Sequence, residues 1–261
     1  MPVIESHTPG AFCWFELGTT DQAAAKQFYT ALFGWSFNDF PIGPSEKYTI
    51  FQLGGEDAAA AYTLRDDQKS QGVPPHWLVY VAVENADEAG RRSAELGGQV
   101  YAGPFDVSDH GRMAVLADST GAVFAVWQKK NHKGVGVTGE NGTVCWADLS
   151  TPDSAKARHF YHELFGWNFV EGEKDTSGYL HIKNHEQFIG GVPSPSQRNP
   201  NAPPHWMIYF QVADCDVSTS KAKTQGAHVI FEPMSMEHVG RFSILNDPQG
   251  AVFSLFQPET R

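Results

Sequence analysis

The segment Cys13-Trp14-Phe15-Glu16-Leu17, continued by Phe28-Tyr29 and Leu32-Phe33-Gly34-Trp35, decides how this chain is read, because it occurs twice. It returns at one constant spacing as Cys145-Trp146-Ala147-Asp148-Leu149, Phe160-Tyr161 and Leu164-Phe165-Gly166-Trp167. Farther along, Pro74-Pro75-His76-Trp77 returns as Pro203-Pro204-His205-Trp206, and Gly121-Ala122-Val123-Phe124 returns as Gly250-Ala251-Val252-Phe253. Collinear matches of this length mark an internal duplication. The expected division is a first domain over 1–128, a linker over 129–143 and a second domain over 144–261. The linker stretch is polar and contains glycines, as a tether does.

Each half divides again. Thr19 and Gln22 are spaced for a capping box. Ala25, Phe28, Tyr29 and Leu32 follow at helical spacing, and Gly34 is placed to close the helix. In the second copy Thr151 is the expected cap, Pro152 the first helical residue and Gly166 the stop. A second strand-helix-glycine unit follows each PPHW segment: a strand over 77–83 and a helix over 86–96, then 206–212 and 217–225. Short strands are predicted over 48–53, 58–64, 112–116 and 122–127. The unit is β-α-β-β-β, four times over, and the fold class is α+β.

The 261 residues suit two domains, and 41% hydrophobic with 19% charged is ordinary globular composition. Nineteen basic against thirty acidic residues give a net charge of −11, a field that repels nucleic acid and anionic membrane surfaces. The three cysteines form no CxxC, which suggests reduced thiols in a cytoplasmic protein. No basic-then-apolar leader opens the sequence, and no apolar run approaches the roughly 20 residues of a membrane span.

The Phe-Tyr…Leu-Phe-Gly-Trp helices resemble a motif of the vicinal oxygen chelate superfamily, which comprises glyoxalases, bleomycin-resistance proteins and extradiol dioxygenases. So do Ala86-Asp87-Glu88-Ala89 with Leu96-Gly97-Gly98, and the turns Asp118-Ser119-Thr120-Gly121-Ala122 and Asp247-Pro248-Gln249-Gly250-Ala251. The resemblance covers nearly the whole chain and points to two-domain glyoxalase-like bacterial proteins. It implies paired βαβββ modules, each pair forming an incomplete barrel around a cavity. Many such proteins hold one divalent ion there with three or four protein ligands. The positions matching those ligands carry Trp14, Leu78 and Ala125, with no His, Asp or Glu over 58–62; the second half has Trp146, Met207 and Ser254. Indole and alkyl groups do not ligate metals. Only a weak pair, Glu16 with His76, is available one strand step away.

The resulting expectation is a metal-independent protein that binds a small, aromatic organic molecule in its concave cavities, as a monomer or homodimer. The alternative is a metal-dependent lyase, isomerase or dioxygenase. Trp14, Glu16, His76 and Trp127 are expected to converge on the first cavity, and Trp146, Asp148, His205 and Phe256 on the second. Glu16 and His76 are also the candidate catalytic groups. Arg112 and Arg241, recurring after glycine at strand starts, are candidates to fork a ligand carboxylate; alternatively they pair with Glu16 or Asp148. His181 and His185 have the spacing of a helical metal pair but fall on a predicted strand and turn.

Overall fold

The protein is described by a computed structural model over residues 3–172 and 177–259. Its first half comprises β1 (Phe12–Thr19), α1 (Gln22–Phe33), β2 (Ser36–Pro41), β3 (Lys47–Leu53), β4 (Glu56–Thr63), the short α2 (Asp66–Ser70), β5 (His76–Ala82), α3 (Ala86–Glu95), β6 (Gln99–Val107), β7 (Gly111–Ala117) and β8 (Val123–Lys129). The second half repeats this with β9 (Val144–Ser150), α4 (Ser154–Phe165), β10 (Asn168–Glu171), β11 (Leu180–Asn184), β12 (Gln187–Val192), β13 (His205–Gln211), α5 (Cys215–Thr224), β14 (His228–Met236), β15 (Gly240–Asn246) and β16 (Val252–Pro258). A single 3-10 turn, Pro195–Gln197, stands where α2 would be. Each half is one eight-stranded sheet, ordered β2-β3-β4-β1-β5-β8-β7-β6 and β10-β11-β12-β9-β13-β16-β15-β14. Within each sheet the two βαβββ modules meet along an antiparallel pair, β1 with β5 and β13 with β9.

The helices form where the apolar period calls for them, but their caps differ from expectation. Asp21 and Asp153, not Thr19 and Thr151, accept the first-turn amides of α1 and α4, at 3.0 and 2.9 Å. A carboxylate two residues along reaches the N3 amide, while the threonine hydroxyl receives only the aspartate N–H behind it. Gly34 and Gly166 end the helices in left-handed conformation, at φ 74° and 73°.

The repeated aromatic motif holds the two halves together. The Tyr29 hydroxyl donates to Asp247 of the second half at 3.0 Å and accepts from Trp77 Nε1 at 3.0 Å. Its counterpart Tyr161 accepts from Trp206 and faces Asp118 of the first half. Trp35 Nε1 donates to the Gly142 carbonyl and Trp167 Nε1 to the Gly10 carbonyl, so each half clasps the chain segment that leads into the other. Around these bonds Tyr29, Phe33, Trp35, Phe210 and Phe253 interlock as one aromatic core, with ring centroids 4.6 to 6.1 Å apart along the chain of contacts.

The segment between the sheets is not a free tether. Val135 and Val137 are buried, Val135 N–H donates to the Cys13 carbonyl at 2.8 Å, and Gly136 N–H to the Asp57 carbonyl at 2.7 Å. At Gly134, φ 104°, a Cβ would lie 2.2 Å from the Cys13 oxygen, so only glycine allows this approach. The segment therefore runs against β1 and β4 at one end of the first sheet.

Candidate ligand-binding site

The strand register of the first sheet builds the site. Trp14 and Glu16 on β1 lie opposite Tyr80 and Leu78 on β5; Glu16 also sits beside Ala60 on β4, and Tyr80 beside Ala125 on β8. Directly paired residues share a face, so these side chains and Trp127, two beyond Ala125, all belong to the concave side. There Trp14, Glu16, Tyr80 and Trp127 line a cavity of about 710 Å³, together with Phe40, Tyr48, Ile50, Met113 and His132.

With Asp57, Glu16 supplies the carboxylates that line it, and Glu16 is the one held by phenols. The Tyr48 hydroxyl donates to Oε2 at 2.7 Å and the Tyr80 hydroxyl to Oε1 at 2.9 Å; Trp14 Nε1 in turn donates to Tyr48 at 2.8 Å. Every donor in this chain points toward the carboxylate. Burial raises the Glu16 proton affinity above that of an ordinary glutamate, and the two phenols offset only part of that rise. Burial and the Glu16 charge together push both tyrosines well above the usual phenol range, so they stay protonated donors. Glu16 nevertheless keeps part of its surface open.

His132, from the segment between the sheets, closes one side. Its ring meets Trp14 edge-on at 4.7 Å and Trp127 at 6.2 Å. Gly134 N–H donates to Nδ1, which assigns the proton of the neutral ring to Nε2, 3.4 Å from Asp57 Oδ2. Burial alone would raise Asp57, but hydrogen bonds from His132 and Gln52 and nearby positive charge outweigh it and hold the carboxyl below its ordinary value. The Trp127 indole is fixed by donating to the His132 carbonyl at 3.0 Å.

Of the residues singled out in the first half, the structure brings Trp14, Glu16 and Trp127 together. His76 is not among the cavity's lining residues. It lies opposite Gly18, at the far end of β5, with Nδ1 on the Pro74 carbonyl at 2.8 Å. His205 repeats this on the Pro203 carbonyl. Arg112 is one residue from the lining Met113, so the strand's period of two sends it to the opposite, helix-bearing side, where it grips Asp87 at 2.7 and 2.8 Å. Arg241 grips Asp216 in the same way. Neither arginine reaches the acidic centre, whose partners are phenols. His181 and His185 are not a helical pair: the first is in β11 and the second, at φ 52°, is in the turn after it.

The second half carries the same centre in a more closed form. Asp148 accepts from Tyr179 at 2.7 Å, Tyr209 at 2.9 Å and Trp146 at 3.0 Å. Its side chain is shorter, it takes three donors rather than two, and it is only 6% exposed. Tyr179 reaches it by crossing Gly191, where a Cβ would stand 1.8 Å from the phenol oxygen. Burial raises Asp148 too. Phe256 faces Phe242 across β15 and β16, as Trp127 faces Met113 in the first sheet.

The donor set does not fit a divalent ion of the kind the fold family holds. Ala60 and Leu78 lie beside Glu16 and Ala125 beside Tyr80, and the Tyr48 and Tyr80 phenols already donate to the Glu16 carboxylate. Among the described residues no three His, Cys, Asp or Glu side chains converge. Also among the described residues, no helix is long and apolar enough to cross a membrane.

Comparison with known proteins places the chain. The sequence profile of the Glyoxalase/Bleomycin resistance protein/Dioxygenase superfamily matches residues 12–126 and again 143–255, and the chain belongs to that superfamily. It is 38% identical to the "Putative glyoxylase CFP32" of Mycobacterium tuberculosis over 99% of this chain and 98% of that protein. It is also 38% identical to the anthracycline biosynthesis protein DauV of a Streptomyces species, over 95% of this chain and 94% of that one. Among solved structures, the 2,3-dioxygenase LapB of Pseudomonas sp. KL28 shares the fold, with TM-score 0.64 and 12% identity over 97% of this chain and 94% of that one. So does the Mn(II)-bound glyoxalase of Novosphingobium aromaticivorans, with TM-score 0.63 and 14% identity over 95% and 82%.

Proposed function

We propose that the first half binds a small, flat aromatic molecule in its concave cavity, without a metal ion, and that Glu16 is the polar anchor. The observation that carries this is the cavity itself: about 710 Å³, walled by Trp14, Tyr48, Tyr80 and Trp127, with one oriented carboxylate on its floor. That size lies within the range of small-molecule sites, and rigid aromatic walls suit a flat ligand. The names of the Streptomyces relatives, which refer to anthracycline biosynthesis, point in the same chemical direction. The second centre, with Asp148 closed by its three donors, serves as the structural counterpart. The protein is proposed to work in the cytoplasm.

Titration calorimetry with 2-naphthylmethanol as probe tests this reading. Binding should survive exhaustive dialysis against EDTA. Trp14→Ala should weaken it about five- to 150-fold, the range for losing a well-packed contact of about 1–3 kcal/mol. Ile50→Trp, which fills the cavity from a partly exposed position, should abolish binding with an unchanged circular dichroism spectrum. Trp146→Ala should leave it intact. Absence of probe binding to the parent protein, loss of binding with EDTA, or parent-like binding by folded Ile50→Trp protein would each refute it.

A further inference from the structure

We propose that the cavity selects aromatic ligands bearing a protonated amine, with Glu16 as the counter-ion; this rests on the aromatic-cavity reading above.

The argument begins with the charges that line the space. Two carboxylates, Glu16 and Asp57, face it, and among the described residues the lining contains no lysine or arginine. Several cations of the first half have partners of their own: Lys26 and Lys47 sit 2.8 and 3.7 Å from Asp39, Arg65 holds Asp67 at 3.1 Å, and Lys133 is 3.8 Å from Glu56. Arg112, the residue type best suited to fork a carboxylate, is committed to Asp87 on the other side of the sheet. An anionic ligand would therefore lose its hydration against two like charges and gain no counter-ion.

A cation meets the opposite situation. A carboxylate has about four acceptor positions. The Tyr48 and Tyr80 hydroxyls take one on each oxygen, so each Glu16 oxygen retains one, and the side chain keeps surface open to the cavity. Trp14, Trp127, Tyr48 and Tyr80 line the same space, and aromatic rings of this kind attract organic cations through their quadrupole. The protein's net charge of −11 favours approach of a cation. The second half makes the contrast: Asp148 has three donors and is buried, so it offers an ammonium group no comparable opening.

The test uses one naphthalene body with three head groups: 2-naphthylmethylammonium, 2-naphthylmethanol and 2-naphthoate. Calorimetry at about pH 8 and low salt, where screening is weak, compares the three. The ammonium probe should bind about ten-fold or more tighter than the alcohol, and the carboxylate about ten-fold or more weaker. Glu16→Gln should collapse the ammonium-to-alcohol ratio toward one, and Glu16→Asp should restore part of it. A carboxylate that binds as well as the ammonium probe overturns the inference, as does a Glu16→Gln protein with the parent's ratio. If the alcohol binds but the ammonium is no tighter, only the charge selection falls. If none of the three binds, the aromatic-cavity reading falls with it.

Discussion

Replacing Tyr29 with phenylalanine removes one oxygen atom from the seam between the halves and leaves two buried groups without their partner. Tyr29 is fully buried. Its hydroxyl accepts the Trp77 indole N–H and donates to Asp247 Oδ2, each at 3.0 Å. Asp247 is itself 3% exposed, and its other oxygen is occupied by the amides of Gln249, Gly250 and Ala251. Burial already raises the Asp247 proton affinity, so losing a donor raises it further. An orphaned buried N–H costs about 1–3 kcal/mol, and a lost bond to a charged group about 1.5–3 kcal/mol. The two share one hydroxyl and some strain relaxes, so the expected loss is about 2–4 kcal/mol, or roughly 5–15 °C in Tm. Urea unfolding followed by tryptophan fluorescence and circular dichroism measures it. A double-mutant cycle with Asp247→Asn should show coupling of about 1–3 kcal/mol. A Tyr29→Phe protein within about 0.5 kcal/mol of the parent, or a cycle with no coupling, would refute the claim that this bond holds the halves together.

Two further outcomes follow from the same geometry. Glu16 and Asp148 both have raised proton affinities in the folded state, so at these two groups the folded protein binds more protons than the unfolded chain. The stability linked to those protons is present below the ordinary carboxylate range and is lost as pH rises through the raised folded values. Glu16→Gln should therefore gain stability relative to the parent as pH climbs from about 4.3 toward neutrality, and parallel urea-midpoint profiles for the two proteins would contradict it. At Gly111 a Cβ would stand 2.3 Å from Trp127 Cζ2, so Gly111→Ala should displace that indole, shift the fluorescence and weaken 2-naphthylmethanol binding. Its cost should be about 1–3 kcal/mol, as for overpacking generally, and a variant indistinguishable from the parent in both would remove Trp127 from the wall.

The fold was legible because its repeat is written in residues that do not tolerate exchange. Tyr29 and Tyr161, Trp35 and Trp167, Gly34 and Gly166 each occupy a buried bond or a left-handed turn, and they recur in order. The superfamily resemblance and the α+β architecture of paired βαβββ modules follow from them. The site was legible only in part. Period-two alternation gave Trp14, Glu16 and Trp127 the concave side, but alternation says nothing of how far along a strand a residue sits. His76 therefore shares the face of Glu16 and still lies at its far end, over Gly18. Arg112 failed by one residue of register. Tyr48 with Tyr179 and Tyr80 with Tyr209 could have been found, since they recur within the duplicated frame; single tyrosines in short strands were simply outweighed by the longer motifs. The helix caps were missed because threonine and aspartate two residues apart are both good caps, and only the geometry of the first turn selects between them.

His132 lay beyond sequence reasoning for a different reason, and that reason bears on why two similar sheets differ. It lies outside the recurring motifs, in the segment between the copies. After β8 the chain must travel to β9, and on the way it pairs with the carbonyls of Cys13 and Asp57 and lays an imidazole against Trp14 and Trp127. The first carboxylate thus sits in a walled cavity that stays partly open, whereas the second is satisfied by its own tryptophan and tyrosines. Duplication supplied two acidic centres of the same design. The connection between the copies lays the His132 imidazole against Trp14 and Trp127, and so adds a wall to the first cavity, where the proposed ligand would sit.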